Sequence, residues 1–96
     1  MYGTIARMQA KPGAEARLRD MMAEFEQLKV PGARGTIVYR SDADPNEFFL
    51  AVVFDSKEAY RANAESPGQN ERYRGYRDLL AADPEWHDGE IVYSSF

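Results

Sequence analysis

The sequence contains no cysteine, which excludes disulfide bonds, thiol catalysis and thiolate metal sites. The absence of cysteine also fits a reducing compartment, so we expect a cytoplasmic protein. No apolar run approaches the ~20 residues that a membrane-spanning helix requires. The N-terminal stretch has no apolar core of the signal-peptide type. We therefore expect neither a membrane span nor a secretory leader.

Positive charge is also scarce. The chain has 12 lysines and arginines against 16 acidic residues, a formal net charge of -4. Without a basic block it is a poor candidate for binding nucleic acid or an anionic membrane surface. Its length of 96 residues, 44% of them hydrophobic, is typical of one small globular domain spanning residues 1–96. No linker, low-complexity tract or internal repeat divides it.

The spacing of apolar residues predicts an alternation of strands and helices. The predicted elements are, in order, a strand (2–10), a helix (14–29), two strands (35–40 and 48–54), a helix in two segments (55–65 and 66–82) and a strand (90–96). The break in the second helix is predicted at Ser66 and Pro67, because serine is a common N-cap and proline fits the first turn. Residues 83–89 are expected to form a loop.

This order is the ferredoxin-like βαββαβ pattern, an α+β fold with both helices on one face of an antiparallel sheet. Residues 48–54, FFLAVVF, do not alternate between apolar and polar, which indicates a strand buried on both faces. One face meets the helices, and nothing else in the chain is left to cover the other. Since most oligomers are symmetric homodimers, we predict that a second copy of the chain covers that sheet face.

A family resemblance rests on three stretches: IARMQAKPGAEARLRDMM, GARGTIVYRSDADPNEFFLAVVFDSKEAYRANAESP and the closing IVY. In this order and spacing they resemble antibiotic-biosynthesis-monooxygenase-like members of the dimeric α/β-barrel superfamily. The resemblance implies a dimer whose sheets face each other, with a ligand pocket in each monomer between helices and sheet. Some members oxidise polycyclic aromatic substrates with O2 and no cofactor, some degrade haem, and many have no established reaction.

The aromatic-oxidising relatives carry an Asn, a Trp four residues later and a Tyr six residues after that. Asn63 and Tyr73 stand at this spacing here, and Pro67 occupies the Trp position. The resemblance therefore implies catalytic roles for Asn63 and Tyr73, while the absent indole departs from the family pattern.

The haem-degrading relatives need a histidine on a helix, an Asn on the first strand and a Trp on the second helix. The single histidine here, His87, falls in the predicted loop after the helix, and Ala6 and Arg7 stand where the strand Asn would be. We therefore expect no haem. No set of histidines and carboxylates has metal-ligand spacing, so no metal is predicted. The resemblance to members that use O2 alone implies no other cofactor.

Helical spacing places Tyr60 with Asn63 on one face, and Tyr73 with Tyr76 on another. These side chains either orient an aromatic ligand in a pocket or fill the core with their hydroxyl groups reaching water or backbone. We predict that any pocket is lined by these four residues, with Trp86 near its rim. Tyr60, Tyr76 and Trp86 are then the expected substrate-binding residues.

Two further groups have a simpler interpretation. Arg72, Arg74 and Arg77 would suit an anion site, but neighbouring acidic residues favour a solvated helix face. His87 has a side chain suited to general-base chemistry, yet a lone histidine in a charged loop is usually a surface residue.

The resemblance and these candidate residues leave two hypotheses for the function. The first is a cofactor-independent monooxygenase acting on a small aromatic or polyketide-like substrate. The alternative is a non-catalytic ligand-binding or dimeric assembly domain. They are distinguished by whether Asn63 and Tyr73 face one open cavity, because bulky side chains filling that space would argue against catalysis.

Overall fold

A four-stranded antiparallel sheet carries a layer of helices on one face. The computed structural model describes residues 1–95. Its elements are, in chain order, β1 (Tyr2–Gln9), α1 (Glu15–Gln27), β2 (Ala33–Arg40), β3 (Glu47–Phe54), α2 (Lys57–Ala64), α3 (Pro67–Asp78) and β4 (Glu85–Glu90). The strand order is β2-β3-β1-β4, and every pairing is antiparallel. This confirms the predicted ferredoxin-like α+β fold, with the broken helix present as α2 and α3.

Serine caps fix the two short helices. The Ser66 hydroxyl accepts a hydrogen bond from the Gln69 backbone N–H at 3.2 Å, and Pro67 opens α3, where its missing N–H is not needed. The Ser56 hydroxyl caps α2 in the same way, accepting from the Ala59 N–H at 3.1 Å. Local chemistry therefore sets the helix break at the predicted residues. Within the described residues, no helix is long and apolar enough to cross a membrane.

The last strand lies earlier than predicted. β4 spans Glu85–Glu90, whereas the pattern placed a loop at 83–89 and a strand at 90–96, of which Phe96 lies outside the described residues. Pairing with β1 ends at Tyr2 opposite Glu90, and only one further bond, from the Ile91 N–H to the Met1 carbonyl, continues it. Residues 91–95 have strand-forming side chains but find no strand partner within the described part of the chain.

The core lies between the helices and the inner face of the sheet. Phe54 and Leu80 are its most deeply buried large side chains, each 1% exposed. Leu18 and Met21 are the buried residues of α1 and pack onto the same core. Even-numbered residues of β3 face inward, and Phe48 is buried among them.

The outer face of the sheet is apolar and remains open. On its inner face β3 buries Phe48, Leu50 and Phe54, whereas its outer face is only partly buried, so the predicted burial of both faces is not met within the single chain. We define the outer face by its odd-numbered apolar residues: Ile5, Ile37, Tyr39, Phe49, Ala51 and Val53. Ile5, Ile37 and Tyr39 are 57%, 56% and 59% exposed. The Tyr39 and Phe49 rings stack at 5.4 Å. The register places Ile5 and Ile37 on either side of Ala51, so the patch is contiguous.

Gly32 joins β2 to the helix layer. Its φ of +80° is one that other residues rarely adopt, and an added Cβ would lie 2.5 Å from the Ala59 Cβ. Gly13 has a similar φ of +82° but open space around it. We therefore expect Gly32→Ala to lower the free energy of unfolding by about 3 kcal/mol and Gly13→Ala by about 1 kcal/mol, because only the first adds a clash to the backbone strain. Urea unfolding measures both, and equal losses would contradict the packing account.

Candidate functional site

A cavity of about 370 Å³ lies between the helices and the inner face of the sheet. Its floor consists only of even-numbered strand residues, because successive side chains of a strand point to opposite faces. These floor residues are Thr4, Met8, Thr36, Leu50, Val52, Phe54, Trp86 and Asp88. Met22 and Phe25 of α1 and the facing sides of α2 and α3 form the roof. The walls are therefore mostly apolar and aromatic, with a few polar groups.

The structure brings the five predicted site residues around this one cavity: Tyr60, Asn63, Tyr73, Tyr76 and Trp86. Asn63 and Tyr73 line the same open space, which is the arrangement that separates the two hypotheses above. The Asn63 Oδ1 lies 3.5 Å from Arg72 Nη2, a long contact at the limit of a hydrogen bond. Its amide thus remains available to a ligand.

Trp86 and His87 lie in β4 and not in the predicted loop. As neighbours on a strand they face opposite sides of the sheet. The Trp86 indole lines the cavity, 46% exposed, with its ring centroid 6.4 Å from that of Tyr73. His87 pairs with Ile5, whose side chain lies on the outer face. Trp86 therefore borders the open side of the cavity, and His87 lies on the other side of the sheet.

The three arginines of α3 do not converge on an anion site. The Arg72 guanidinium lies 5.5 Å from the Phe25 ring centroid and donates to Gln69 Oε1 at 3.1 Å. Arg77 donates to Asp83 at 2.6 Å and to the Leu80 carbonyl at 3.0 Å. Arg74 is exposed. The predicted solvated face describes Arg74, whereas Arg72 and Arg77 are partly buried and paired with neighbouring groups.

Sequence reasoning missed several polar residues of the cavity, among them Thr4 and Asp88. These two lie directly opposite each other in the β1–β4 pairing. The Tyr60 hydroxyl donates to Asp88 Oδ1 at 2.8 Å. Thr4 is 5% exposed, and its hydroxyl oxygen has no hydrogen-bond partner within the described residues. Because the strand that carries Asp88 was misplaced, no sequence signal could have joined these residues.

Burial and the Asp88 carboxylate together raise the pKa of Tyr60 to about 12. The Thr4 hydroxyl lies near the Tyr60 phenol and lowers its pKa, although the two groups do not have the geometry of a normal hydrogen bond. Burial also raises the pKa of Tyr76, against the opposing charge of Arg72. The phenols of Tyr60 and Tyr76 are therefore proton-bearing hydrogen-bonding groups at neutral pH.

Stability should decline as pH rises from 10 toward 12, since Tyr60 ionises near 10.0 when unfolded and near 12 when folded. Below pH 10 Tyr60 keeps its proton in both the folded and the unfolded state. Above pH 10 the unfolded state loses this proton first, which favours unfolding. Tyr60→Phe should therefore flatten this decline. Asp88→Asn should lower the pKa of Tyr60 only in part, because burial is the larger cause. Thermal melts against pH, with phenolate absorbance as the titration signal, test both; an unchanged slope in Tyr60→Phe would contradict the assignment.

The protein is thus a ferredoxin-like α+β domain with a lined cavity between its helices and its sheet. The family model described as antibiotic biosynthesis monooxygenase matches residues 1–73, and the chain belongs to this family. No curated protein matches the sequence significantly.

Solved structures share the whole fold. A candidate antibiotic biosynthesis monooxygenase from Chloroflexus aurantiacus J-10-fl is 29% identical, with a TM-score of 0.80 over 99% of this chain and 96% of that one. A variant of SnoaB, a cofactor-independent oxygenase from Streptomyces nogalater, is 18% identical, with a TM-score of 0.82 over 97% and 94%. A candidate family member from Deinococcus radiodurans is 17% identical, with a TM-score of 0.80 over 100% and 97%.

Proposed function

We propose that this protein is a cofactor-independent monooxygenase that oxidises a small hydroxylated aromatic or polyketide-like molecule in the cavity. One observation carries the proposal: Asn63 and Tyr73 line the same open, largely apolar space of about 370 Å³. That volume lies at the lower end of the roughly 300–1,000 Å³ of small-molecule sites. Family membership and the likeness to SnoaB, described as a cofactor-independent oxygenase, support it.

The reaction can be written for 1-naphthol. The hydroxyl group loses its proton, and the anion gives one electron to O2. The two radicals couple to form a C–O bond at the ring carbon opposite the hydroxyl. The ring peroxide takes up the proton and then loses water, breaking the O–O and C–H bonds to leave a carbonyl. The net change is 1-naphthol and O2 to 1,4-naphthoquinone and water, with one oxygen atom in each product.

The chain's own residues bind and orient the substrate in this scheme. The Asn63 amide and the Tyr73 hydroxyl donate hydrogen bonds to the substrate oxygen as it gains negative charge, and apolar walls strengthen those bonds by excluding water. Trp86 supplies an indole wall beside Tyr73, in a cavity whose α3 carries Pro67 at the position of the relatives' Trp. Holding the ring and O2 together in one cavity supplies the orientation that the reaction needs.

Oxygen uptake with 1-naphthol tests the proposal. We expect uptake above the buffer rate, unaffected by a metal chelator, with one atom of 18O2 in each quinone and no released hydrogen peroxide. Uptake at the buffer rate, or hydrogen peroxide in proportion to the quinone, would contradict monooxygenation. Protein inactivated by heat provides the control for spontaneous oxidation of the probe.

We also infer that two copies of the chain pair through the outer face of the sheet. This face combines three large apolar side chains that are each more than half exposed with the stacked Tyr39–Phe49 pair. At its edge the Arg7 side chain pairs with Glu47 at 2.5 Å, giving a polar rim. Such a face suits a symmetric interface burying on the order of 800 Å² on each partner.

A further inference from the structure

Arg72 of α3 lies behind the cavity wall, and its guanidinium group contacts three residues that line the cavity: Phe25, Asn63 and Gln69. We propose that Arg72 is a positioning residue that turns the NH2 group of the Asn63 amide toward the ligand, and so selects the anionic form of a phenol. The inference rests on the proposed function for its ligand class. It adds the residue that sets the charge state of the bound ligand.

The guanidinium group is held in place independently of Asn63. Its Nε donates to Gln69 Oε1 at 3.1 Å, and its carbon lies 5.5 Å from the centroid of the Phe25 ring on α1. The second distance is within the ~6 Å at which a cation is attracted to an aromatic face. Gly68 leaves room for the group, because a Cβ added there would lie only 3.3 Å from Arg72 Nη1. The Nη2 atom therefore meets Asn63 from a fixed position.

The Arg72 Nη2 atom lies 3.5 Å from Asn63 Oδ1. A guanidinium group has only donors and stays charged, so it attracts the oxygen of an amide and repels its NH2 group. Oδ1 therefore turns toward Arg72, and Nδ2, on the other branch of the planar amide, is left for the ligand. The contact is long, as polar contacts often are in a site without its ligand.

The direction of the amide decides which form of a phenol binds. An NH2 group donates to the oxygen of a phenolate, whereas an amide oxygen would accept the hydrogen of a neutral phenol. The Tyr73 hydroxyl can rotate to donate to the same phenolate oxygen. Because hydrogen bonds to a charged oxygen are the stronger ones, a held Asn63 amide favours the anion. The anion is also the form that gives an electron to O2 in the proposed reaction.

The other titratable groups at the cavity do not supply this preference. Within the described residues, those that line it are Tyr60, Tyr73, Tyr76 and Asp88, and Glu24 lies near Tyr76. Burial raises the pKa of Tyr60 and Tyr76, so neither phenol carries a charge below pH 10. The two carboxylates disfavour an anion. Asp88 lies two residues beyond Trp86, about 7 Å along β4, and accepts from Tyr60. Donors at the Asn63 end must therefore favour the anion.

The absorbance of bound 1-naphthol against pH tests the inference without turnover. The protein is in excess over the probe under anaerobic conditions, and the titration stops at pH 10, below the range in which folded Tyr60 ionises. We expect the parent protein to lower the pKa of 1-naphthol by about one unit, so that the anion binds about tenfold more tightly than the neutral form.

Two substitutions of Arg72 separate its geometry from its charge. Arg72→Met removes the donors and keeps an unbranched side chain over the Phe25 ring. The Asn63 amide can then turn and accept from a neutral hydroxyl, so the preference for the anion should fall to about twofold. Arg72→Lys keeps the charge on a shorter side chain without the planar fork, and should also give about twofold.

Arg74→Met is the matched control for these variants. It removes a positive charge from the same helix, two residues away, at an exposed position that does not line the cavity. We expect it to keep the preference of the parent for the anion.

A double-mutant cycle tests whether Arg72 acts through Asn63. Asn63→Ala alone should reduce the preference for the anion to about twofold, and adding Arg72→Met should change it no further. A further loss of about fivefold in the double variant, or a full preference in Arg72→Lys, would mean that the charge of Arg72 acts directly. Either result would overturn the positioning role, as would a parent with no preference or no binding of 1-naphthol.

Naphthalene, which has the same rings and no oxygen, excludes a misshapen cavity as the cause. Its affinity for both Arg72 variants should equal its affinity for the parent, and the variants should melt near the parent temperature. A parallel loss of naphthalene affinity, or much lower melting temperatures in both variants, would show that Arg72 supports the fold, and would overturn the inference.

Failure of the proposed function gives a different result. An anion preference that is lost in both Arg72 variants, with oxygen uptake at the buffer rate, would support the role of Arg72 and reject only the oxygenase. Oxygen uptake above the buffer rate by a parent that binds both forms of 1-naphthol equally would reject only the role of Arg72.

Discussion

Replacing Ile5 with lysine should convert the protein from a dimer to a monomer. Ile5 lies within the outer face of the sheet and is 57% exposed in the single chain. Pairing two copies through this face would bury a lysine ammonium group in each, without a hydration shell. We expect sedimentation velocity at micromolar concentration to report about two chain masses for the parent and one, 10.9 kDa, for Ile5→Lys.

Leu28→Lys is the matched control for this experiment. Leu28 is 55% exposed, almost the same as Ile5, but it caps the C-terminus of α1 on the helix side of the sheet. It should leave the dimer intact. A monomeric parent, or loss of the dimer in both variants, would contradict the outer-face interface. Because the outer face is opposite to the cavity, monomeric Ile5→Lys should still bind 1-naphthol.

Asn63→Ala and Tyr73→Phe should weaken binding of 1-naphthol while leaving the melting temperature near that of the parent. Asn63→Ala removes a buried ligand hydrogen bond, which costs about 1–3 kcal/mol, or roughly 5- to 150-fold in affinity. Tyr73→Phe loses the hydroxyl and keeps the ring beside Trp86. Anaerobic calorimetry and thermal melts measure the two quantities on the same samples.

Tyr93→Phe provides the control for the hydroxyl deletion, because Tyr93 is 82% exposed and does not line the cavity. If Asn63 and Tyr73 served only to fill the core, the outcome would be reversed. Affinity for 1-naphthol would stay unchanged, and the loss would appear as a lower melting temperature.

The parts of the fold that the sequence predicts correctly depend on local chemistry. The break between α2 and α3 is an example, since Ser66 caps one helix and Pro67 fits its first turn whatever surrounds them. Local sequence also decides which residues share a face of α2 and of α3, because helical spacing alone places Tyr60 near Asn63 and Tyr73 near Tyr76. For this reason the part of the cavity roof that α2 and α3 form could be predicted from the sequence.

The floor of the cavity depends on strand pairing, which is a tertiary property. β4 has the sequence EWHDGE, which is polar and resembles a loop, while the more apolar Ile91 and Val92 follow it. Pairing with β1 decides that the polar segment is the strand. Since Thr4 meets Asp88 only through this register, the polar end of the cavity could not be predicted.

The rate of 1-naphthol oxidation in Ala64→Trp, compared with Ala62→Trp, tests most directly whether the cavity is the functional site. Ala64 and Ala62 are both exposed on α2, but only Ala64 lines the cavity. An indole at position 64 fills the space that the substrate needs, so oxidation should fall to the buffer rate, while Ala62→Trp should retain the parent rate. Equal rates in the two variants, with both folded, would contradict the assignment of function to this cavity.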